Sequence, residues 1–586
     1  MKAEERWQAR FRAPRMTLPT WARQAPHRAV YRSNVSGAWE IYAWDRSTGQ
    51  TRQVTNRPQG TSHGALDPAG RWIWWFADTD GDELGVWMRQ PFYGGPDEPA
   101  PMPPGHPCGI GLANNGTAAV GRSCRNGFEV LLTRPESEPV TVYRHNEYAS
   151  VVDMSLDGSL IAINHSEHGD AMHPALRVLK ANGETVGELH DGPGMGVTSA
   201  RFAPVPGDRR LLVLHERRGR REPLVWDPET GEQREIWLPA RGEISADWYD
   251  DGRALLIVHN HRGRTELLRY DLPGGALVSI ETSHGMIESA APRPDGTVEY
   301  SWSSAAHPPV IRSSTGHVII NPGRTPPPSV PVEDIDVDGP GGRIHALVSR
   351  PERVAQPYPA VFLLHGGPAA QDDDSFQPDV AAWVDSGFAV VRVNYRGSSG
   401  YGSAWRDALT GEVGHTELAD VAAVRDWVVD QGIVDPDRLV LAGSSWGGYL
   451  TLLALGTQPK AWAAGIAAAP IADHAAAYED EAERHRAGHR ALLGGSPPEV
   501  PDRYAASSPI TYAGAVQAPL LILAGENDPC CPMRQIELYL EALAEHGHDA
   551  SVYRYDAGHG TLVVEERIRQ TTAAIDFAVR ALATRE

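Results

Sequence analysis

The chain has 586 residues, 41% of them hydrophobic, a mean hydropathy of -0.37 and a formal net charge of -21. That length supports two or more domains with separate cores, and the acidic balance excludes a nucleic-acid partner, which needs a basic face. No apolar run reaches the roughly 18 residues that a membrane helix requires, so no membrane partner is expected either.

The first residues, "MKAEERWQARF", are charged and lack the apolar core of a signal peptide. Four cysteines make no disulfide framework, and the reading is a cytoplasmic protein. From about residue 27 to 321 the sequence repeats. One series of turns carries Gly70, Gly116, Gly158, Gly207, Gly252 and Gly296, and a second carries Gly37, Gly81, Gly127, Gly169, Gly219 and Gly263. Glycine accepts the positive φ of tight hairpins, and short strands such as "WIWWFA", "LIAINH" and "LLIVHN" lie between the turns. A repeat of 42–50 residues with two hairpins per unit predicts a β-propeller, and the second series, starting one unit earlier, makes seven blades. An irregular array of β-sandwiches is the alternative.

The Pro- and Gly-rich stretch 321–342 ends the repeat and reads as a linker. Beyond it, continuous apolar runs such as "AVFLLHGG", "FAVVRVNY", "RLVLAGS" and "PLLILAGE" alternate with helical segments. This is the pattern of a doubly wound α/β domain. The expected division is 1–20 as an N-terminal segment, 21–322 as the propeller and 323–586 as an α/β-hydrolase domain.

Residues 443–447 fit Gly-x-Ser-x-Gly between a buried strand and a helix, the setting of a nucleophile elbow. Ser445 is the expected nucleophile; Ser444 is its neighbour. A serine needs a base and an acid to orient that base. Asp528, 83 residues on, and His559, a further 31, follow apolar strands in the order Ser, Asp, His. Glu526 is the fallback acid. "HGGP" at 365–368 follows an early strand, and the amides of Gly367 and Trp446 are the expected oxyanion donors.

Taken together, the propeller pattern with "HGGP", "NYRGSSGYG", "GSSWGGY", "GENDP" and "DAGHG" resembles the prolyl oligopeptidase family of serine peptidases. The acylaminoacyl-peptidase branch and its related bacterial aminopeptidases are the most similar. The resemblance implies an N-terminal helix docked on the hydrolase domain and a site between the domains open to short peptides or small amides. It requires no cofactor, and it allows a homo-oligomer. Many members carry an arginine two residues after the triad aspartate. Here that residue is Cys530, followed by Cys531, which favours substrates with little on the acyl side. No metal is expected at the two cysteines, which lack a Cys-x-x-Cys companion, or at His485 and His489, which lack a third ligand. In the segment 473–490, Tyr478 is the aromatic candidate for substrate contact, and Glu483 is the candidate to pair with a free α-amine. The alternative is a solvated helical face.

The expected activity is amide hydrolysis through an acyl-enzyme, as an aminopeptidase first. Release of N-acylated amino acids, or hydrolysis of an aminoacyl-amide or ester metabolite, is the alternative within that class. A propeller binding protein with a vestigial hydrolase is the rival outside it.

Overall fold

The computed structural model describes residues 3–124, 127–352, 354–409 and 411–583. Seven four-stranded antiparallel sheets occupy residues 20–320 in chain order, spanning 20–53, 64–99, 106–145, 149–189, 197–235, 243–280 and 286–320. These are the seven blades of a propeller. All twelve glycines of the two turn series have positive φ, from 64° to 103°.

Each blade is one contiguous segment, so the ring closes by packing between the first and last blades. Trp21 Nε1 donates to Glu299 Oε2 at 2.7 Å, Arg46 reaches Glu299 Oε1 at 2.8 Å, and Arg293 lies over the Trp21 ring. The first turn series lies at the end of the ring away from the hydrolase domain. There a cavity of about 470 Å³ is lined by residues from all seven blades, among them Trp21, Asp153, Arg201 and Asp247.

The C-terminal half holds one eight-stranded sheet. Its first two strands, Glu333–Gly339 and Gly342–Ser349, are antiparallel, and the remaining six run parallel to one another. The parallel strands are continuous apolar runs because helices cover both faces; Ala389–Asn394 and Leu520–Gly525 are buried at every position.

The N-terminal helix Ala3–Arg12 packs on this domain, not on the propeller sheets. Trp7 and Phe11 join Trp383, Phe388, Phe577 and Ala578 in one buried cluster. Arg10, with no exposed surface, bonds Asp385 at 2.5 Å and the carbonyl of Pro328 at 2.7 Å. A buried guanidinium is tolerated here because its donors are spent on a carboxylate and carbonyls.

Candidate active site

The strand Val434–Ser444 delivers Ser445, and the helix Trp446–Thr457 leaves it. Ser445 holds φ 56°, ψ −118°, a conformation that a side chain adopts only when its surroundings force it. The flanking glycines show what forces it. A Cβ on Gly443 would stand 2.4 Å from the Gly447 carbonyl carbon, and one on Gly447 would stand 2.1 Å from the Leu364 oxygen. Strand and helix therefore meet at backbone contact, and the serine is thrown to the outside of the bend.

Gly366 lies directly against this bend. A Cβ there would come 3.4 Å from Ser445 Cβ and 3.9 Å from the Trp446 nitrogen. The loop containing Gly367, at φ 127°, therefore passes over the start of the helix where the Trp446 amide is, as an oxyanion pocket requires. The Trp446 indole donates to the fully buried Glu417 at 3.1 Å, which fixes the residue from below. Burial pushes the Glu417 carboxyl up to about 7. His365 is held by its Nδ1 bond to the Gly366 oxygen and by Ser398 at 2.9 Å; burial lowers it to about 4, so it is neutral at neutral pH.

Asp528 follows Leu520–Gly525, one strand beyond the neighbour of the serine strand, and His559 follows the next strand, Ser551–Tyr555. All three residues thus stand at the carboxyl edge of the same run of parallel strands, with Ala464–Ala468 between the serine strand and the aspartate strand. His559 Nδ1 bonds Asp528 Oδ2 at 2.9 Å, while Asp528 Oδ1 accepts the amides of Cys530 and Cys531 at 2.8 and 2.9 Å. The aspartate side chain is 1% exposed and the histidine 28%, so the acid is enclosed and the base reaches the cleft. The sequence expects Cys530 and Cys531 beside this acid; their backbone donors fix its carboxylate.

The loop around His559 is gripped from outside by the propeller. Gln59 donates to the Asp556 oxygen at 2.6 Å, and Trp39 N and Val564 N bond Leu562 O and Gly37 O at 3.0 and 2.9 Å. Gly81 meets Gly558 so closely that a Cβ on Gly81 would be 2.7 Å from the Gly558 nitrogen. Asn527 donates to Asp80 O. Elsewhere, Gly219 O accepts from Ser403, and Gly263 O accepts from Asp374. The second turn series is therefore the face on which the hydrolase domain docks.

The segment after Ala464–Ala468 supplies one wall. Glu483 pairs with Arg490 at 2.8 Å, and the same guanidinium bonds the Tyr478 hydroxyl at 3.0 Å and faces Glu147 of the propeller at 3.6 Å. The expected amine anchor is thus matched to a cation of its own helix. The enclosed carboxyl is Glu481, two residues earlier, with His489 Nδ1 3.5 Å from its Oε2. Its Oε2 is enclosed without a hydrogen-bond partner, and burial, against the pull of Arg486 and helped by Asp528 and Asp480, pushes it up to about 8. Sequence spacing marks an acidic cluster but cannot tell which member turns inward.

Arg484 was likewise missed. Its guanidinium bonds Glu83 of the propeller, donates to His485 Nε2 at 3.0 Å, and stands beside the Cys530 thiol, which lies 3.4 Å from His485 Nε2. An arginine therefore does stand next to position 530, brought by a different element. Glu83, His485 and Cys530 also place three ligand atoms together. The partner His485 lacked in sequence is hundreds of residues away, and Arg484 is the cation that meets all three. Burial and Arg484 lower His485 to about 3, and burial with Asp528 raises Cys530 to about 12.

Residues 374–585 match the family model described as the prolyl oligopeptidase family. The acylamino-acid-releasing enzyme of Arabidopsis thaliana is 29% identical over 245 residues, covering 38% of this chain and 31% of the relative; the match spans about a third of that relative's length. Among solved structures, a prolyl endopeptidase superposes with a TM-score of 0.84 at 17% identity, over 99% of this chain and 91% of the other. A puromycin hydrolase gives 0.79 at 20%, over 98% and 96%. At those identities the structures establish the two-domain fold. The elbow and the Asp–His pair both lie within residues 374–585, the segment that matches the prolyl oligopeptidase family.

Proposed function

We propose that this protein is a serine peptidase that cleaves the amide bond of short peptides or aminoacyl amides through an acyl-enzyme. Ser445 attacks the carbonyl, His559 takes the hydroxyl proton and gives it to the leaving amine, and Asp528 holds His559 in the tautomer that can do so. The amides of Gly367 and Trp446 receive the oxyanion. Water then repeats the sequence on the ester. The observation that carries this reading is the His559–Asp528 bond, with the acid held by two further amides, at the same sheet edge as a serine in a strained elbow.

The propeller face limits the site to small substrates, and Tyr478 and Cys530 border the acyl side. In the aminopeptidase form of the reading, the recognising acid is Glu483, which would exchange Arg490 for the α-amine of the substrate. A second form, release of N-acylated amino acids, is supported by Arg484 beside Cys530, a donor for an acyl carbonyl. The neighbour described as a puromycin hydrolase supports a third, a specialised small-molecule amide. Among the described residues no helix is long and apolar enough to cross a membrane, and the four cysteines are free thiols, which supports the cytoplasm as its place.

The test is paired: kcat/KM on aminoacyl p-nitroanilides with a free amine and on their N-acetylated twins. Preference for the free amine supports the aminopeptidase form, and preference for the acetylated set supports acylaminoacyl release. Turnover of neither, without labelling of Ser445 by a fluorophosphonate, would leave a propeller binding protein.

A further inference from the structure

Blade 4 (149–189) and blade 5 (197–235) repeat one another closely enough to be compared residue by residue. His165 and His215 end the second strand of each blade, and both have Nδ1 facing the backbone amide two residues on, at 3.4 and 3.3 Å. Both imidazoles have no exposed surface, and neither Nε2 has a hydrogen-bond partner. The enclosed histidine therefore belongs to the repeat. What differs is the group facing it. Three residues on, blade 5 has Arg218, which pairs with Glu235 on its fourth strand. Blade 4 has His168 instead, and its Nε2 lies 2.7 Å from Oε1 of Glu188, the residue matching Glu235.

From this juxtaposition we propose that His165, His168 and Glu188 form a binding site for a divalent transition metal of the zinc type. The ligand atoms of all three lie within 4.8 Å of one another, and Glu188 Oε2 is 3.7 Å from His165 Nε2. Zinc bonds of about 2.0–2.2 Å to nitrogen and oxygen need shifts of an ångström or less from here. The donor set of two imidazoles and a carboxylate suits a borderline-soft cation and not calcium or magnesium.

The surroundings fit the same reading. Glu167 Oε1 stands 3.9 Å from His165 Nδ1; ligation of Nε2 moves the ring proton to Nδ1, which then donates to this carboxylate in place of accepting from the Glu167 amide. Two carboxylates, Glu167 and Glu188, face one guanidinium, Arg177, leaving one negative charge for the metal to meet. Arg177 bonds the Oε2 of Glu188, so Oε1 is the oxygen open to the cation. The His190 ring stacks on His168 at 3.9 Å, which holds that ligand in place. A cavity of about 180 Å³ opens beside these rings, with space for the solvent that completes four-coordination.

The metal would be structural. It would tie the turn 166–173 to the outer strand of blade 4, and that turn carries His173, which bonds Asp407 of the hydrolase domain at 3.1 Å. The proposal stands independently of the peptidase reading.

The test uses the full chain stripped with a chelator and titrated with Zn²⁺ by calorimetry. Alongside wild type run His168→Arg, which installs the blade 5 residue, His168→Gln, which removes the ligand without adding charge, and Cys530→Ser, which takes the thiol from the two ligand clusters near the triad. Wild type and Cys530→Ser should bind one Zn²⁺ that raises Tm, with affinity reduced by at least about 100-fold in both His168 variants. Co²⁺ at this site should show no thiolate charge-transfer band. Wild type that binds no Zn²⁺, or His168 variants that bind it as wild type does, would overturn the proposal.

Discussion

In the hydrolase half, Val361, Phe362, Val390, Val391, Val440 and Leu441 have no exposed surface, because helices cover both faces of the sheet. In the propeller the burial fades outward along each blade. Outer strands such as Gln233–Glu235 and Leu277–Ile280 are largely exposed, and order depends on each blade packing against its neighbours. The carboxyl ends of the parallel strands are fixed by the covered sheet, so Ser445 and Asp528 are set by their own domain. The loop carrying His559 runs beyond the sheet edge, and its outer side is held by Gly37, Trp39, Gln59 and Gly81 of the propeller. One half thus carries all three residues of the proposed triad, while the other holds the loop of one of them.

The sharpest break in that comparison comes from the reacting half. Asp528→Asn leaves the fold intact but removes the acceptor that sets the His559 tautomer; kcat should fall about 10⁴-fold. Steady-state kinetics on a nitroanilide checks this, and a loss below tenfold would remove Asp528 from the triad.

The next comes from a residue with no catalytic atom. Gly81→Val pushes a side chain into Gly558 and should move His559, lowering kcat by on the order of 10²-fold with KM little changed. Unchanged kcat would mean that the hydrolase domain sets its own histidine loop.

A third variant sharpens the comparison through stability. Glu481 holds its proton up to about 8 in the fold, against an ordinary 4.5. Below 4.5 both folded and unfolded chains are protonated and nothing is lost. As pH rises from 4.5 to 8 the unfolded chain ionises first, so the fold loses stability. Glu481→Gln removes that loss, on the order of a few kcal/mol. Denaturant unfolding at pH 5 and pH 8 should show its advantage over wild type growing with pH. A constant difference would contradict the buried, protonated carboxyl.

The smallest effect is expected from Glu483→Ala. Its partly exposed pair with Arg490 contributes about 1 kcal/mol or less, so while that pair stays closed kcat/KM on free-amine substrates should change less than about fivefold. A selective loss of a hundredfold on free amines would show Glu483 exchanging Arg490 for the α-amine.

Much of this was legible in the sequence because local geometry left a local mark. The blade glycines sit at positive φ, which glycine adopts most readily, and Gly443 and Gly447 sit where a Cβ would strike backbone. The order Ser445, Asp528, His559 followed from strand ends. What could not be read was pairing at a distance. The acidic cluster pointed to Glu483, but only the fold shows Arg490 closing on it and Glu481 turned inward. Arg484 reaches Cys530 from the helix Glu483–Leu493, and Glu83 meets it from blade 2. No spacing rule links residues 83 and 484, since that contact exists only after two domains dock.

The most direct measurement of the central claim is covalent. Folded wild-type protein is treated with a fluorophosphonate and the labelled peptide is mapped by mass spectrometry, with Ser445→Ala run in parallel. The account predicts stoichiometric label on Ser445, none in Ser445→Ala, and activity in that variant down by on the order of 10⁶. Label on another serine, or turnover by Ser445→Ala near the wild-type rate, would contradict it.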